Sequence, residues 1–174
     1  MSKIKNFAEP GDEIVEAVRG AIEFRATWMA LIFDEMRKSG VDAEGIIRRA
    51  ITRCGEEIDG PKVKKLADEK GIEVDGNTIC QFSFRELMRR CFCMSPVTCD
   101  GDNADAHLHY CPLVHAWQKM GFSDEDIALL CDMTMNGDRG VAKANGFKLD
   151  LPCTIGGGDD TCNIHFYRGD LERK

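Results

Sequence analysis

The chain has 174 residues, 43% of them hydrophobic and 30% charged, with a net charge of −7 at pH 7. That balance suits a globular chain able to bury a core, and it argues against nucleic acid or an anionic membrane surface as the main partner. No stretch approaches the roughly 20 apolar residues of a membrane span, and Met1–Pro10 is polar with no targeting pattern. A cytoplasmic location is therefore expected, in which the nine cysteines stay reduced, each as a buried, ligating or reactive thiol.

From Gly11 to about Arg37 apolar residues recur at helical spacing, among them Ile14, Val15, Val18, Ile22, Trp28, Met29, Ile32 and Met36, and Gly40 ends the run. The apolar arc is wider than one packing partner needs. Trp28 and Ile32 are therefore expected either to be buried in the domain or to close a homodimer. Asp42 caps a second helix with Ile46, Ile47, Ile51 and Cys54 on one face. Pro61 opens a third, carrying Val63, Leu66 and Ala67, whose lysines read as a solvated face. Gly71–Asn77 reads as a loop, and Phe82, Leu87, Met88 and Cys91 as a short helix from about Ser83.

After Cys91 the period changes. Cys93–Thr98 and Ala106–Tyr110 read as two strands joined by the turn AspGlyAspAsnAlaAsp. Cys111–Met120 is a helix closed by Gly121. Ser123 caps another, with Ile127, Leu130 and Cys131 as its buried stripe, and Asn136–Gly140 separates it from a short helix ending at Asn145. Leu149–Ile155 and Cys162–Phe166 alternate in polarity, and Gly156–Gly158 joins them into a hairpin. The expected fold is α+β within one domain, 1–174. N-terminal helices cover about 11–91. A small, mostly antiparallel sheet with inserted helices and a C-terminal β-hairpin follows over about 92–167 and carries the site.

All four histidines lie in residues 107–117 and 151–166, together with Cys111, Cys153 and Cys162. With a loop at residues 156–159, Cys153 faces Cys162 across the hairpin, their Cβ atoms about 4.5–5.5 Å apart. Both thiols are then core side chains or functional groups. His107, His109 and Cys111 alternate, so on a strand they point to one side, with His115 one helical turn further on. These four form a candidate set for a divalent metal (zinc, iron or manganese); the plainer reading is partly exposed strand residues. Cys111 stands before Pro112 at a helix start, where free N–H groups favour a thiolate, so it is expected to react before Cys153. Cys91, Cys93 and Cys99 lack C-x-x-C spacing and read mostly as core, as do Cys54 and Cys131 on apolar helix faces. Asp159 and Asp160 sit in a glycine-rich turn whose amides can form an anion-binding nest, near the strand thiols. Asp138 is a loop acid that equally suits an N-cap. No phosphate loop, Ser/His/Asp elbow or dinucleotide fingerprint is present.

ArgAlaThrTrpMetAlaLeuIlePheAspGluMet (25–36), CysProLeuValHisAlaTrp (111–117), LeuLeuCys (129–131) followed by Asp138, and GlyAspAspThrCysAsnIleHisPhe (158–166) resemble the L-2-amino-thiazoline-4-carboxylic acid hydrolase family. The resemblance runs from about residue 14 to 167. It implies opening of a thiazoline ring to N-carbamoyl-L-cysteine and points to Cys111, Cys131, Asp138, Asp159 and Cys162. His107, His109 and His165 depart from the family's pattern.

The expected function is hydrolysis of a small cyclic amidine, a small-molecule substrate, at a C–N bond. Cys111 and Cys162 are the expected reactive pair, and Asp159 or Asp160 would orient the amidinium. Asp138, Cys131 and Gly158 are the expected substrate contacts. The alternative is a non-catalytic metal- or small-ligand-binding protein or sensor using the same Cys/His pocket.

Overall fold

Asp12 opens the longest helix, α1 (Glu13–Lys38), by accepting the Val15 N–H. Glu13 and Glu16 lie in its first turn and Arg37 and Lys38 in its last, each at the favourable end of the helix dipole. The structure, a computed structural model, describes residues 2–169. Val15, Ala26, Ala30 and Phe33 form the buried stripe of α1. Trp28 is 60% exposed and Ile32 47% exposed. The expectation of burial in the domain therefore fails for these two, because they stand on the side of the helix opposite that stripe.

Asp42 caps α2 (Ala43–Arg53), and the chain continues through a π-helical turn, Cys54–Asp59, into α3 (Gly60–Asp68). Lys62 and Lys64 pair with Asp59 and Asp68, the solvated face expected. Two helices follow where one was expected, α4 (Gly76–Ser83) and α5 (Glu86–Phe92). Asp75 and Thr78 cap each other's backbone reciprocally and start α4 inside the stretch that reads as a loop.

The remaining elements are β1 (Met94–Cys99), β2 (Asn103–Leu108), α6 (Pro112–Lys119), α7 (Asp124–Thr134), α8 (Asn136–Ala144), β3 (Lys148–Asp150) and β4 (Cys162–Tyr167). The sheet is antiparallel in the order β1-β2-β4-β3, and the fold is α+β as expected. Asp100 accepts the N–H groups of Asp102 and Asn103, which tightens the β1–β2 turn and frees 103–105 to pair as strand. Ala104, Ala106 and Leu108 of β2 and Cys162, Ile164 and Phe166 of β4 form the buried face of the sheet. Their core is shared with Ile79, Val114, Trp117, Ile127 and Leu130 from the helices. The Trp117 indole donates to the Ala26 carbonyl at 3.0 Å and so ties α6 to α1. The π-turn has a packing reason, since a Cβ at Gly55 would lie 2.1 Å from the Gly137 carbonyl oxygen at the start of α8.

Two expectations need correction. β3 meets β4 with Leu149 opposite Phe166, but the ladder stops at Asp150–His165. Pro152 has no N–H with which to extend it, and Thr154 caps a 3-10 turn over Ile155–Gly157 instead. Cys153 and Cys162 are thus not a cross-strand pair. Cys80 and Cys99 are disulfide-bonded between α4 and β1, against the expectation of nine reduced thiols; their Cα atoms stand 6.3 Å apart, within bridging reach. Among the described residues, no helix is long and apolar enough to cross a membrane.

Candidate active site

Cys111 is fixed by a residue far away in sequence. Asn6, itself buried, accepts the Cys111 N–H at 2.8 Å and donates to the Cys111 carbonyl at 2.9 Å. This clamp sets the residue that precedes Pro112 at the start of α6. The N–H groups of Leu113 and Val114 act on its thiol and favour the thiolate, as the sequence suggested. Burial is the larger effect and raises the pKa, so Cys111 is a neutral thiol. The expectation of a reactive thiolate fails on magnitude: two amide dipoles do not replace the water that burial removes.

Cys131 on α7 and Cys162 on β4 join it. Burial pushes Cys131 up to about 12, with further upward pressure from Cys111 and relief from the Gly156 N–H and the Thr154 hydroxyl. Burial also raises Cys162, with Cys111 and then Cys131 adding to it against the N–H of Ile155, which donates to Cys162 Sγ at 3.1 Å. The Thr154–Gly158 turn therefore serves two thiols. Gly156 is required there, since a Cβ would come 2.5 Å from Cys131 Cβ and 2.8 Å from its sulfur. Cys111 thus raises both of the other thiols, and Cys131 adds to Cys162.

Asp138, in the first turn of α8, is half-buried. Burial pushes its carboxyl up to about 6. Its own backbone N–H and the Arg25 guanidinium oppose this, Asp59 adds to it, and Arg139 opposes it again. Arg25 also acts on the Cys111 thiol. It is exposed on α1, with no hydrogen bond or ion pair among the described residues. Its helix face is set by Met29, one turn on, whose Sδ lies 3.3 Å from Thr134 Oγ1 at the end of α7. Arg25 is thus the electrostatic link between the acid and the thiols.

The other expected residues lie elsewhere. Asp159 accepts the Thr154 N–H at 2.8 Å and braces the turn from outside, and Gly158 supplies that turn's left-handed φ of 101°. Asp160 is 81% exposed at its side chain and meets Lys5 at 3.4 Å. The structure does not bring these acids to the thiols. The metal set is not assembled either. β2 ends at Leu108, so the strand alternation that would align His107, His109 and Cys111 is lost. His107 faces Asp105 at 3.6 Å on the outer side of the sheet, and His109 meets the Ser95 carbonyl at 2.7 Å, while Cys111 turns inward. His115 lies half-buried on α6 with its ring 5.9 Å from that of Tyr110. Among the described residues no three His, Cys, Asp or Glu side chains could hold a metal ion. Asn6, Thr154 and Gly156 escape a reading of the sequence; nothing local marks them, because their roles lie in contacts with Cys111, Cys131 and Cys162.

The model of the L-2-amino-thiazoline-4-carboxylic acid hydrolase family matches residues 19–166. None of the curated proteins matches the chain. Among solved structures it is similar to a trafficking protein particle complex subunit 3 from Naegleria fowleri, covalently bound to palmitic acid, with a TM-score of 0.51 and 12% identity. That likeness covers 88% of this chain and 98% of the other, and it is one of fold. With the family model spanning most of its length, the chain belongs to the L-2-amino-thiazoline-4-carboxylic acid hydrolase family.

Proposed function

We propose that this protein hydrolyses a small cyclic amidine of the thiazoline type and that Asp138 is its acid–base group. The observation that carries this reading is the Asp138 carboxyl, titrating at about 6 beside the charge of Arg25. A carboxyl poised near neutrality can take a proton and return it in one turnover, as ring opening demands. Conversion of 2-amino-thiazoline-4-carboxylate to N-carbamoyl-L-cysteine leaves both nitrogens on the carbonyl carbon and frees a thiol. The bond broken is therefore C2–S, not C–N. Ionised Asp138 would accept a proton from the water attacking C2 and pass it to the departing sulfur, while the second proton of that water moves to the ring nitrogen as the C2 carbonyl forms. Arg25 would hold the substrate carboxylate by a charge-assisted pair. Cys111, Cys131 and Cys162, neutral thiols, would wall the ring side of the site rather than attack it.

The test is ring opening of that substrate, followed by the appearance of the new thiol. Wild type should turn over, with kcat/KM rising through a pH near the Asp138 value of about 6. Asp138→Asn should lose turnover and Cys111→Ala should keep it. Absence of turnover by wild type would end this reading.

A second reading, a non-catalytic protein that binds a small ligand, is favoured by the same raised thiols, since buried neutral thiols make an apolar lining but poor nucleophiles and poor metal ligands. The similar trafficking subunit carries a covalently bound palmitic acid; the corresponding reading here is an apolar ligand lodged among the thiols. Native mass spectrometry and elemental analysis of purified protein separate the two: a stoichiometric ligand without hydrolysis selects binding.

A further inference from the structure

α1 is apolar on two opposite sides. One side is the core stripe of Val15, Ala26, Ala30 and Phe33. On the other, Ile14, Phe24, Trp28, Leu31 and Ile32 are between 47% and 63% exposed. At 100° per residue these five fall on one outward arc, where a surface helix normally carries its charges. Phe24 and Trp28 already pack edge to face, 5.8 Å between ring centroids, and so present a preformed ridge.

The geometry points to a homodimer in which the α1 helices of two copies pack antiparallel across a twofold axis near Phe24. Shape is the first argument. Four of the five bulky residues, Phe24, Trp28, Leu31 and Ile32, run from the middle of the arc to its C-terminal end, whereas beyond Ile14 the N-terminal half offers Ala17, Gly20 and Ala21, all exposed. Nothing lies within 4 Å of a Cβ built on Gly20. An antiparallel pair lays Trp28 of each copy over Gly20 and Ala21 of the other, and Leu31 and Ile32 over Ala17, so ridge meets shallow surface twice. Only a twofold satisfies both halves with one surface.

Charge is the second argument. The first turn of α1 carries Glu13 and Glu16 and the last carries Arg37 and Lys38. Arg37 and Lys38 are already held by Asp126, Asp34 and Glu35 of their own chain, so what antiparallel pairing adds is the opposition of the two helix dipoles, each N-terminus beside the partner's C-terminus. Size is the third. Five large apolar side chains about half exposed offer roughly 500 Å² per copy, hence on the order of 1,000 Å² per pair, about the size at which an interface is specific. The net charge of −7 disfavours an anionic membrane as the occupant. Arg25, exposed on the same helix, flanks the arc.

Sedimentation velocity on the whole protein across micromolar to hundred-micromolar concentrations tests this. Wild type should sediment as twice the 19.4 kDa chain, and Trp28→Glu as a monomer. Ala21→Glu alters only an exposed alanine, so its monomer should fold with an unchanged circular dichroism spectrum while dimerisation weakens at least tenfold. Phe24→Cys, close to the axis, should cross-link to itself on oxidation. A wild-type monomer throughout the range overturns the proposal. So does a dimer that both glutamates leave intact, or a monomer that binds anionic phosphatidylglycerol vesicles through this face.

Discussion

Replacing Asp138 by Asn removes a charge that burial holds where water cannot solvate it well. The carboxyl moves from 3.8 to about 6 on folding, so the folded state binds the proton more tightly. The native state therefore gains from the protonated acid at low pH, and stability falls as pH rises from about 4 to about 6. Above about pH 7 the penalty is complete. A shift of about two units at 1.36 kcal/mol each sets a ceiling of about 3 kcal/mol. Because Asp138 is only half-buried, solvent screening lowers this to about 1–2 kcal/mol. Asn keeps the shape and an oxygen for the local backbone N–H, and it never ionises. Asp138→Asn should therefore be more stable than wild type by about 1–2 kcal/mol near pH 8, a Tm gain of roughly 3–6 °C for a chain of this size, with the gap closing near pH 4. Urea unfolding followed by circular dichroism across that range measures it, with ring opening assayed on the same samples. A variant that is less stable near pH 8, or equally altered at both ends, would show that Asp138 is a satisfied structural acid. Its acid–base role would then fall as well.

Thiol reactivity should follow exposure, the reverse of the order the helix N-terminus suggested. Native mass spectrometry after a short alkylation pulse should find Cys54, exposed, and Cys93 and Cys153, partly exposed, labelled before Cys111, Cys131 and Cys162; early labelling of Cys111 would contradict the dominance of burial. Gly156→Ala should cost about 1–3 kcal/mol in chemical denaturation, because its Cβ would overlap Cys131, and it should slow turnover by displacing the turn that holds Cys162. Asn6→Ala leaves the buried Cys111 N–H without a partner, while the Cys111 carbonyl keeps the His115 N–H; a loss of about 1–2 kcal/mol is expected, and a neutral effect on unfolding would show that water takes over the lost bond.

Helices with strong local signals are legible from the amino-acid order alone. The apolar period places α1, and the period together with the caps Asp42 and Ser123 places α2 and α7, because both signals are confined to neighbouring residues. The same locality hides α4, since its capping box lies among residues that otherwise read as a turn. The α+β class and the core face of β4 follow from alternation, and the family resemblance brings Cys111, Cys131, Asp138 and Cys162 into view. Tertiary structure decides what those residues can do. Whether the Cys111 thiol ionises depends on how much water α1, α7 and β4 exclude, and no spacing along the chain encodes that balance. Which acid stands by Arg25 is likewise a matter of packing: a glycine-rich turn puts Asp159 and Asp160 beside the thiols in sequence, whereas the fold turns them outward and half-buries Asp138. The outward ridge of α1 shows the same division, for periodicity reveals two apolar sides and only the folded chain shows which one lacks a partner.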